Sequence, residues 1–316
     1  MRTSVMTLNV SRIVLTSAAL LVVSGLSLMG SIWAITPAPT EVSDIVADQV
    51  LEANSDGVPA AVVQRLARVR EAIEHGSPAA WAGEYYEGDG LGANIQLSLE
   101  PNAGIAATWH GCMGLYGSNE GEVEERDDGA LLFHFNRPNG ETGGPTIGTF
   151  PTILKPVRWG ARRYLLSDTQ MIEFVNAMHH GMEPRDEPYG FFLLATNDDR
   201  APVSRLPDLP ESVLASVRST PLIVQVSSIE TLERAGSIDF PQCRVRLRIR
   251  IPDGDSVAPG LEFEKAGTPY EYAKFKVIDF SGTDALLEEH MFHDCADTEH
   301  IPTTEWKLSS GAYNAR

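Results

Sequence analysis

The sequence predicts a mainly β protein of the α+β class, with two β-rich domains after an N-terminal apolar segment. Three observations lead to this prediction. An uncharged apolar run stands near the N-terminus, alternating strands dominate the remainder of the chain, and a proline-rich acidic stretch divides those strands into two groups. The predicted parts are an anchor or signal peptide, a stalk with a helix, a first β domain, a linker, and a smaller second β-barrel or sandwich. They span residues 1–36, 37–76, 77–196, 197–212 and 213–316, in that order.

Residues 13–35 are uncharged and mostly apolar, which is long enough for a helix that spans a membrane. Arg2 and Arg12 precede this run and acidic residues follow it, so the N-terminus is expected in the cytoplasm and the rest outside. Signal peptides usually have a shorter apolar core, and cleavage after Ala34 would place bulky Ile32 where a small residue is preferred. The sequence therefore favours a single-pass anchor in the cell membrane. A cleaved signal and a secreted or periplasmic product are the alternative.

The composition is acidic, with 43 Asp and Glu against 25 Lys and Arg and a net charge of −18. Such a surface repels nucleic acid, so a nucleic-acid partner is not expected. The sequence contains no phosphate loop, no dinucleotide fingerprint, no G-x-S-x-G elbow and no H-E-x-x-H motif. No cofactor is expected on these grounds.

Two helices are predicted from residues that mark their first and last turns. In "VPAAVVQRLARVREAIEHG", Pro59 suits the first helical position, apolar residues recur at helical spacing, and Gly76 ends the pattern. A second helix is expected inside the first β domain, because Ser167 and Gln170 form a capping box and Gly181 ends that pattern. We expect the first helix to pack on the domain that comes after it.

Period-two alternation defines the first β domain. In "NIQLSLEP", Ile95, Leu97 and Leu99 point to one side while polar residues point to the other. Residues 101–104 form a turn, and the apolar alternation resumes up to Trp109. With the turn in "RDDG" and the alternation in "ALLFHF", this pattern predicts an antiparallel meander.

The stretch "WAGEYYEGDGLGANIQLSLEPNAG" resembles the opening of lipocalin-like small β-barrels of bacterial envelope proteins. These begin W-x-G-x-Y, continue with a long alternating strand and a glycine turn, and reach a later G-x-V strand, here at 121–123. The resemblance covers residues 81–135 and implies an antiparallel lipocalin-like barrel with a role in ligand capture, into which the helix that starts at Ser167 would be inserted. The N-terminal barrel of copper-resistance lipoproteins is a comparable relative. Its Cys-x-x-Cys pair would fall near residues 88–92, where this chain has no cysteine, so the resemblance implies no metal.

Together with "WHGCMGLYG", this pattern also looks like that of uncharacterised bacterial envelope proteins. A ligand at the mouth of such a barrel would meet amphipathic side chains. The candidate ligand-binding residues are Tyr85, Tyr86, Asp89, Asn94, Trp109, His110 and Tyr116. Core packing of the aromatic residues and a turn at the aspartate are the alternatives.

His110 and Cys112 stand two apart, so on a strand they would share a face, as a base and a nucleophile could. No acid is evidently placed to orient the histidine, and the flanking glycines are equally well explained by a strand bend. The sequence therefore favours an extracytoplasmic envelope protein without enzymatic activity. It would be a binding or structural module for a small apolar ligand, a peptide or a partner protein. The alternative is a small thiol-dependent hydrolase that uses Cys112 and His110.

"HMFHDCADTEH" offers His290, His293, Cys295 and His300 as a borderline set of zinc ligands. Structural zinc sites usually supply two tight pairs, and His290 and His293 would face opposite ways on a strand. We interpret the stretch as a strand end with a loop, and expect no metal. Cys243 and Cys295 are expected to form a disulfide, because both lie in the second domain of a chain exposed to an oxidising compartment.

The arginines of "CRVRLRIRIP" alternate with apolar residues, so they form a row on one face of a strand. Such a row could capture a polyanion. The next strand, "LEFEK", carries Glu262 and Glu264 at the same alternation, which predicts a hairpin in which glutamates pair with the arginines.

Overall fold

The computed structural model describes residues 57–139, 149–185, 190–203, 206–237, 240–267, 273–297 and 299–313. These residues belong to one compact unit and are mainly β, as the sequence predicts. None of the helices among them is long and apolar enough to cross a membrane. The predicted membrane segment at 13–35 lies outside the described residues.

The first barrel consists, among the described residues, of eight antiparallel strands. Each strand pairs with the next along the chain, and the eighth pairs with the first to close the barrel. The strands are β1 (Gly83–Gly88), β2 (Ala93–Glu100), β3 (Gly104–Gly111), β4 (Gly114–Glu125), β5 (Leu131–Phe135), β6 (Ile153–Trp159), β7 (Arg162–Leu166) and β8 (Gly190–Ala195). The predicted antiparallel barrel is confirmed.

Side chains fill the interior of this barrel. The period-two alternation turns Ile95, Leu97 and Leu99 of β2 inward, and their register partners on β3 continue the same face. The packed interior residues include Tyr85, Leu97, Leu99, Ile105, Ala107, Leu131, Phe133, Phe150, Leu154, Leu165 and Leu193. The interior is therefore a hydrophobic core of large side chains.

Helix α1 (Ala60–Glu74) packs against β2, β3 and β4 on the outside of the barrel. Val62 and Val69 are fully buried, and Pro59 is the N-cap, one position before the predicted one. Arg65, on the same face, lies 3.2 Å from a carboxylate oxygen of Glu120 and donates to the carbonyl of Ala103 at 2.8 Å. The helix is thus held by apolar burial and by a buried ion pair, which the apolar pattern alone does not reveal.

Helix α2 (Asp168–His179) lies between β7 and β8 and has the predicted capping box. The backbone N–H of Gln170 donates to the Ser167 hydroxyl at 3.3 Å, and the Ser167 N–H donates to the Gln170 side chain at 3.0 Å. These two bonds satisfy N–H groups that the first turn of a helix leaves without partners.

The second barrel comes after a short helix, α3 (Glu211–Leu214). Among the described residues it has six antiparallel strands, which close in the order β10-β13-β12-β11-β14-β9. They are β9 (Ile223–Gly236), β10 (Pro241–Arg250), β11 (Glu262–Lys265), β12 (Phe275–Ser281), β13 (Asp284–Met291) and β14 (Lys307–Ser309).

Helix α2 joins the two barrels through one hydrophobic cluster. Phe174 of this helix packs edge-to-face on Trp159 and Tyr164 of the first barrel, and the same cluster includes Val245 and Leu247 inside the second. Asn176 adds polar contacts, since its side chain donates to the carbonyl of residue 260 at 3.0 Å and accepts from the N–H of residue 262 at 3.0 Å. The helix inserted in the first barrel therefore packs on the second.

Three arginines of the row on β10 are paired internally, as predicted, but with other partners. Arg244 and Arg246 lie 2.8 and 2.5 Å from Glu288 of β13, and Arg248 lies 3.0 Å from Glu230 of β9. The predicted hairpin with "LEFEK" is wrong, because β10 pairs with β9 and β13 and not with β11.

Candidate functional site

A groove of about 350 Å³ lies on the outer face of the first barrel, over β8, β1 and β2. Because side chains alternate along a strand, Glu84 and Tyr86 of β1 point outward. Tyr86 pairs in register with Leu194 on one side and Gln96 on the other, and Glu84 pairs with Ser98. These five side chains form the floor of the groove.

The groove exists because the two helices cover other parts of the barrel. Helix α1 packs over β2, β3 and β4, and the cluster around α2 covers β6, β7 and part of β8. At the edge, Arg70 of α1 donates to Glu84 at 2.6 Å, and the loop after β8 contributes Thr196, Asn197 and Asp199. The groove thus offers hydrogen-bond donors, acceptors and both signs of charge beside an apolar strip.

Two predicted ligand-binding residues shape the turn beside this groove. Asn94 accepts hydrogen bonds from the Tyr86 hydroxyl and, at 2.7 Å, from the N–H of Gly90. Asp89 accepts two backbone N–H groups of its own turn at 2.8 and 2.7 Å, and these bonds lower the pKa of its carboxyl. Asp89 therefore holds the turn, and Asn94 links the turn to Tyr86 in the groove.

The four predicted aromatic residues do not share one face. Tyr85 lies inside the barrel, where its hydroxyl donates to the carbonyl of Trp81 at 2.8 Å and burial raises its pKa. Tyr86 lies outside, in the groove. Trp109 and Tyr116 pack edge-to-face with ring centroids 6.3 Å apart, near the end where β3 turns into β4. Only Tyr86 of the four presents an outward side chain to the groove floor.

Cys112 lies in the exposed turn between β3 and β4 and is a free thiol. Its sulfur is 3.4 Å from the Tyr116 hydroxyl, and among the described residues no hydrogen bond joins it to His110. A Cβ on Gly111 would lie 2.1 Å from the Tyr116 ring, so this glycine allows the ring to pack against the backbone. The arrangement is that of a packed strand end, and no hydrogen bond from a described basic side chain reaches the thiol.

Cys243 and Cys295 form a disulfide with an S–S distance of 2.06 Å. It joins β10 to the loop after β13, and it removes Cys295 from the set of possible metal ligands. His290 also leaves that set, since it lies on β13, 3.6 Å from Glu288. A ring nitrogen of His293 and one of His300 instead lie beside the carboxylate of Asp297.

An ionic cluster between α2 and the second barrel is not evident from the sequence. The two ring nitrogens of His180 lie 3.6 and 3.5 Å from Glu262 and Glu264, and Lys274 and Lys276 lie 3.4 and 3.5 Å from Glu262. Burial acts to raise the pKa of Glu262, but the contacts with His180 and the lysines outweigh it and lower that pKa. The cluster adds a polar rim to the contact between the barrels.

No protein-family model, no curated protein and no solved structure matches this chain. The closed eight-stranded antiparallel barrel of the described residues is consistent with the resemblance of residues 81–135 to lipocalin-like barrels.

Proposed function

We propose that the protein is a non-enzymatic binding module of the cell envelope whose groove binds a short peptide segment. In this proposal residues 13–35 anchor the chain in the membrane, and the barrels lie outside the cytoplasm. The first barrel is lipocalin-like in shape but binds with its outer face. The observation that carries the proposal is the groove over β8, β1 and β2.

The lining of the groove favours a peptide over a small apolar molecule. A peptide backbone presents N–H and C=O groups in alternation, and the exposed side-chain amides of Gln96 and Asn197 can donate to one kind and accept from the other. Tyr86 and Leu194 offer apolar contact to one or two peptide side chains. A volume of about 350 Å³ is at the lower end of ligand sites, which suits a few residues rather than a whole domain. The barrel interior, by contrast, is occupied by the protein's own side chains.

The position of Cys112 argues against the thiol-hydrolase alternative. A cysteine nucleophile needs a base held against it and donors for the developing oxyanion. Here the sulfur contacts a tyrosine hydroxyl, and the turn that carries it is exposed.

Peptide capture tests the proposal. The full-length chain in detergent is incubated with a pooled library of synthetic hexapeptides, and retained peptides are identified by mass spectrometry. Combined Tyr86→Ala and Gln96→Ala substitutions are expected to weaken binding of a retained peptide at least tenfold. Thr108→Ala is the matched control, because Thr108 is the register partner of Gln96 on β3 and does not line the groove. Circular dichroism establishes that each variant is folded.

Two results would contradict the proposal. One is a library from which the wild-type chain retains no hexapeptide. The other is a retained peptide that binds the double variant as tightly as the wild type. Saturable binding of the apolar dye anilinonaphthalene sulfonate, unchanged in the double variant, would instead favour an apolar ligand elsewhere in the protein.

The anchor has its own test. We expect N-terminal sequencing of the protein, isolated from the membrane fraction, to begin at residue 1 or 2. The reason is the length of the apolar run at 13–35 and the poor cleavage site after Ala34. A mature chain that begins near Ile35 would show that the segment is a cleaved signal.

A further inference from the structure

Two histidines and an aspartate converge in the loop between β13 and β14. Nδ1 of His300 lies 2.9 Å from Oδ2 of Asp297, and Nδ1 of His293 lies 3.5 Å from the same oxygen. One ligand atom from each of the three residues lies within 4.8 Å of the other two. We propose that His293, Asp297 and His300 form a binding site for a divalent transition-metal ion of the zinc class.

Several described residues next to the proposed ligands are held by contacts that do not involve the ligands' side chains. The disulfide holds Cys295, between the first two ligands, against β10. Asp294 accepts a hydrogen bond from the N–H of Ala296 at 3.0 Å and forms an ion pair with Arg234 of β9. Ile301, next to the third ligand, is buried. These contacts lower the cost of ordering the ligands before an ion binds.

The distances between the ligand atoms suit tetrahedral coordination of one ion. Ligand atoms about 2.0–2.1 Å from a zinc ion, at tetrahedral angles, stand about 3.3 Å from one another. The two separations at Asp297, 2.9 and 3.5 Å, lie on either side of that value. The imidazole rings are now stacked in parallel with centroids 4.1 Å apart, so they must rotate for each to direct a nitrogen lone pair at one ion. Both rings are partly exposed and have room to do so.

The chemistry of the three groups selects the class of metal. Two imidazole nitrogens and one carboxylate oxygen suit zinc and its neighbours, whereas calcium and magnesium prefer oxygen ligands alone. Three protein ligands leave a fourth position for water or another group. The net charge of −18 raises the local concentration of cations at the surface.

Calorimetric titration with zinc chloride tests the site on the full-length, oxidised chain in detergent. We expect one strong binding event per chain, and at least tenfold weaker binding in His293→Gln, Asp297→Asn and His300→Gln. His290→Gln is the matched control, since that histidine is also exposed and lies on the neighbouring strand, but it contacts Glu288 instead. Its affinity is expected to stay within twofold of the wild type. Titration with cobalt chloride should give a visible absorption band that the three ligand variants lose and the control keeps.

Two outcomes would overturn the proposal. Wild-type protein that binds no zinc at millimolar concentration has no such site. Equal affinity in the wild type and in Asp297→Asn or His300→Gln would place the ion elsewhere. Non-reducing mass spectrometry of every variant establishes that the disulfide, and with it the loop, has formed, so that a loss of binding is assigned to the substituted ligand.

Discussion

Replacement of both Cys243 and Cys295 with alanine is expected to lower the free energy of unfolding by about 4 kcal/mol. The disulfide closes a loop with a sequence separation of 52 residues, which contains most of the second barrel. Without the bond, the unfolded chain gains the conformational freedom that loop closure removes. Urea unfolding of the variant and the oxidised wild type, followed by circular dichroism, measures the difference.

Cys112→Ala provides the control for this experiment. Its thiol is free and exposed, so the substitution should leave the free energy of unfolding within about 0.5 kcal/mol of the wild type. Digestion without reductant should yield a peptide pair that contains Cys243 and Cys295. A linkage through Cys112, or an unchanged urea midpoint in the double variant, would contradict the expectation.

Glu183→Gln is expected to stabilise the protein at alkaline pH by about 3 kcal/mol. Glu183 is only 4% exposed, and burial raises its pKa from 4.5 to about 7. The Tyr164 hydroxyl donates to its carboxyl at 3.3 Å. Between pH 4.5 and 7 the folded state holds a proton that the unfolded state releases, so stability falls as pH rises through this range. Glutamine keeps the shape and an acceptor for the tyrosine but cannot ionise.

The gain should therefore depend on pH. We expect a difference of less than about 1 kcal/mol near pH 5, growing to about 3 kcal/mol at pH 8. Thermal and urea unfolding at several pH values measure this profile. Glu305→Gln changes an exposed position, and its profile of unfolding stability against pH should be parallel to that of the wild type. A Glu183→Gln profile that is also parallel to the wild type would show that the buried carboxyl does not ionise in this range.

Local patterns predict the elements of the fold well. The alternation in β2 indicates the inward face of the first barrel, and the capping box at Ser167 marks the start of α2. Pairing between distant strands is beyond such patterns. "LEFEK" has the alternation of a partner for β10, yet the barrel order separates the two strands, because closure and inter-barrel packing decide which edges meet.

The groove is predictable only in part. The sequence marks Tyr86 as an amphipathic aromatic residue but groups it with Tyr85, although neighbours on a strand point to opposite faces. Arg70, Gln96 and Asn197 come from a helix, a strand and a loop that meet only when β8 closes on β1. Asp297 escapes prediction for a different reason, because a pattern of histidine and cysteine does not include the carboxylate that lies between the two rings.

The shared core around α2 bears on how the chain is made. Synthesis completes the first barrel before the second, and domains commonly fold in that order. Until β9 to β14 have emerged, the side of α2 that carries Ile172 and Asn176 has no second barrel to cover it. Exposed apolar surface of this kind makes a partly synthesised chain prone to aggregation. For the same reason we expect the first barrel, produced without the second, to aggregate more readily than the whole chain.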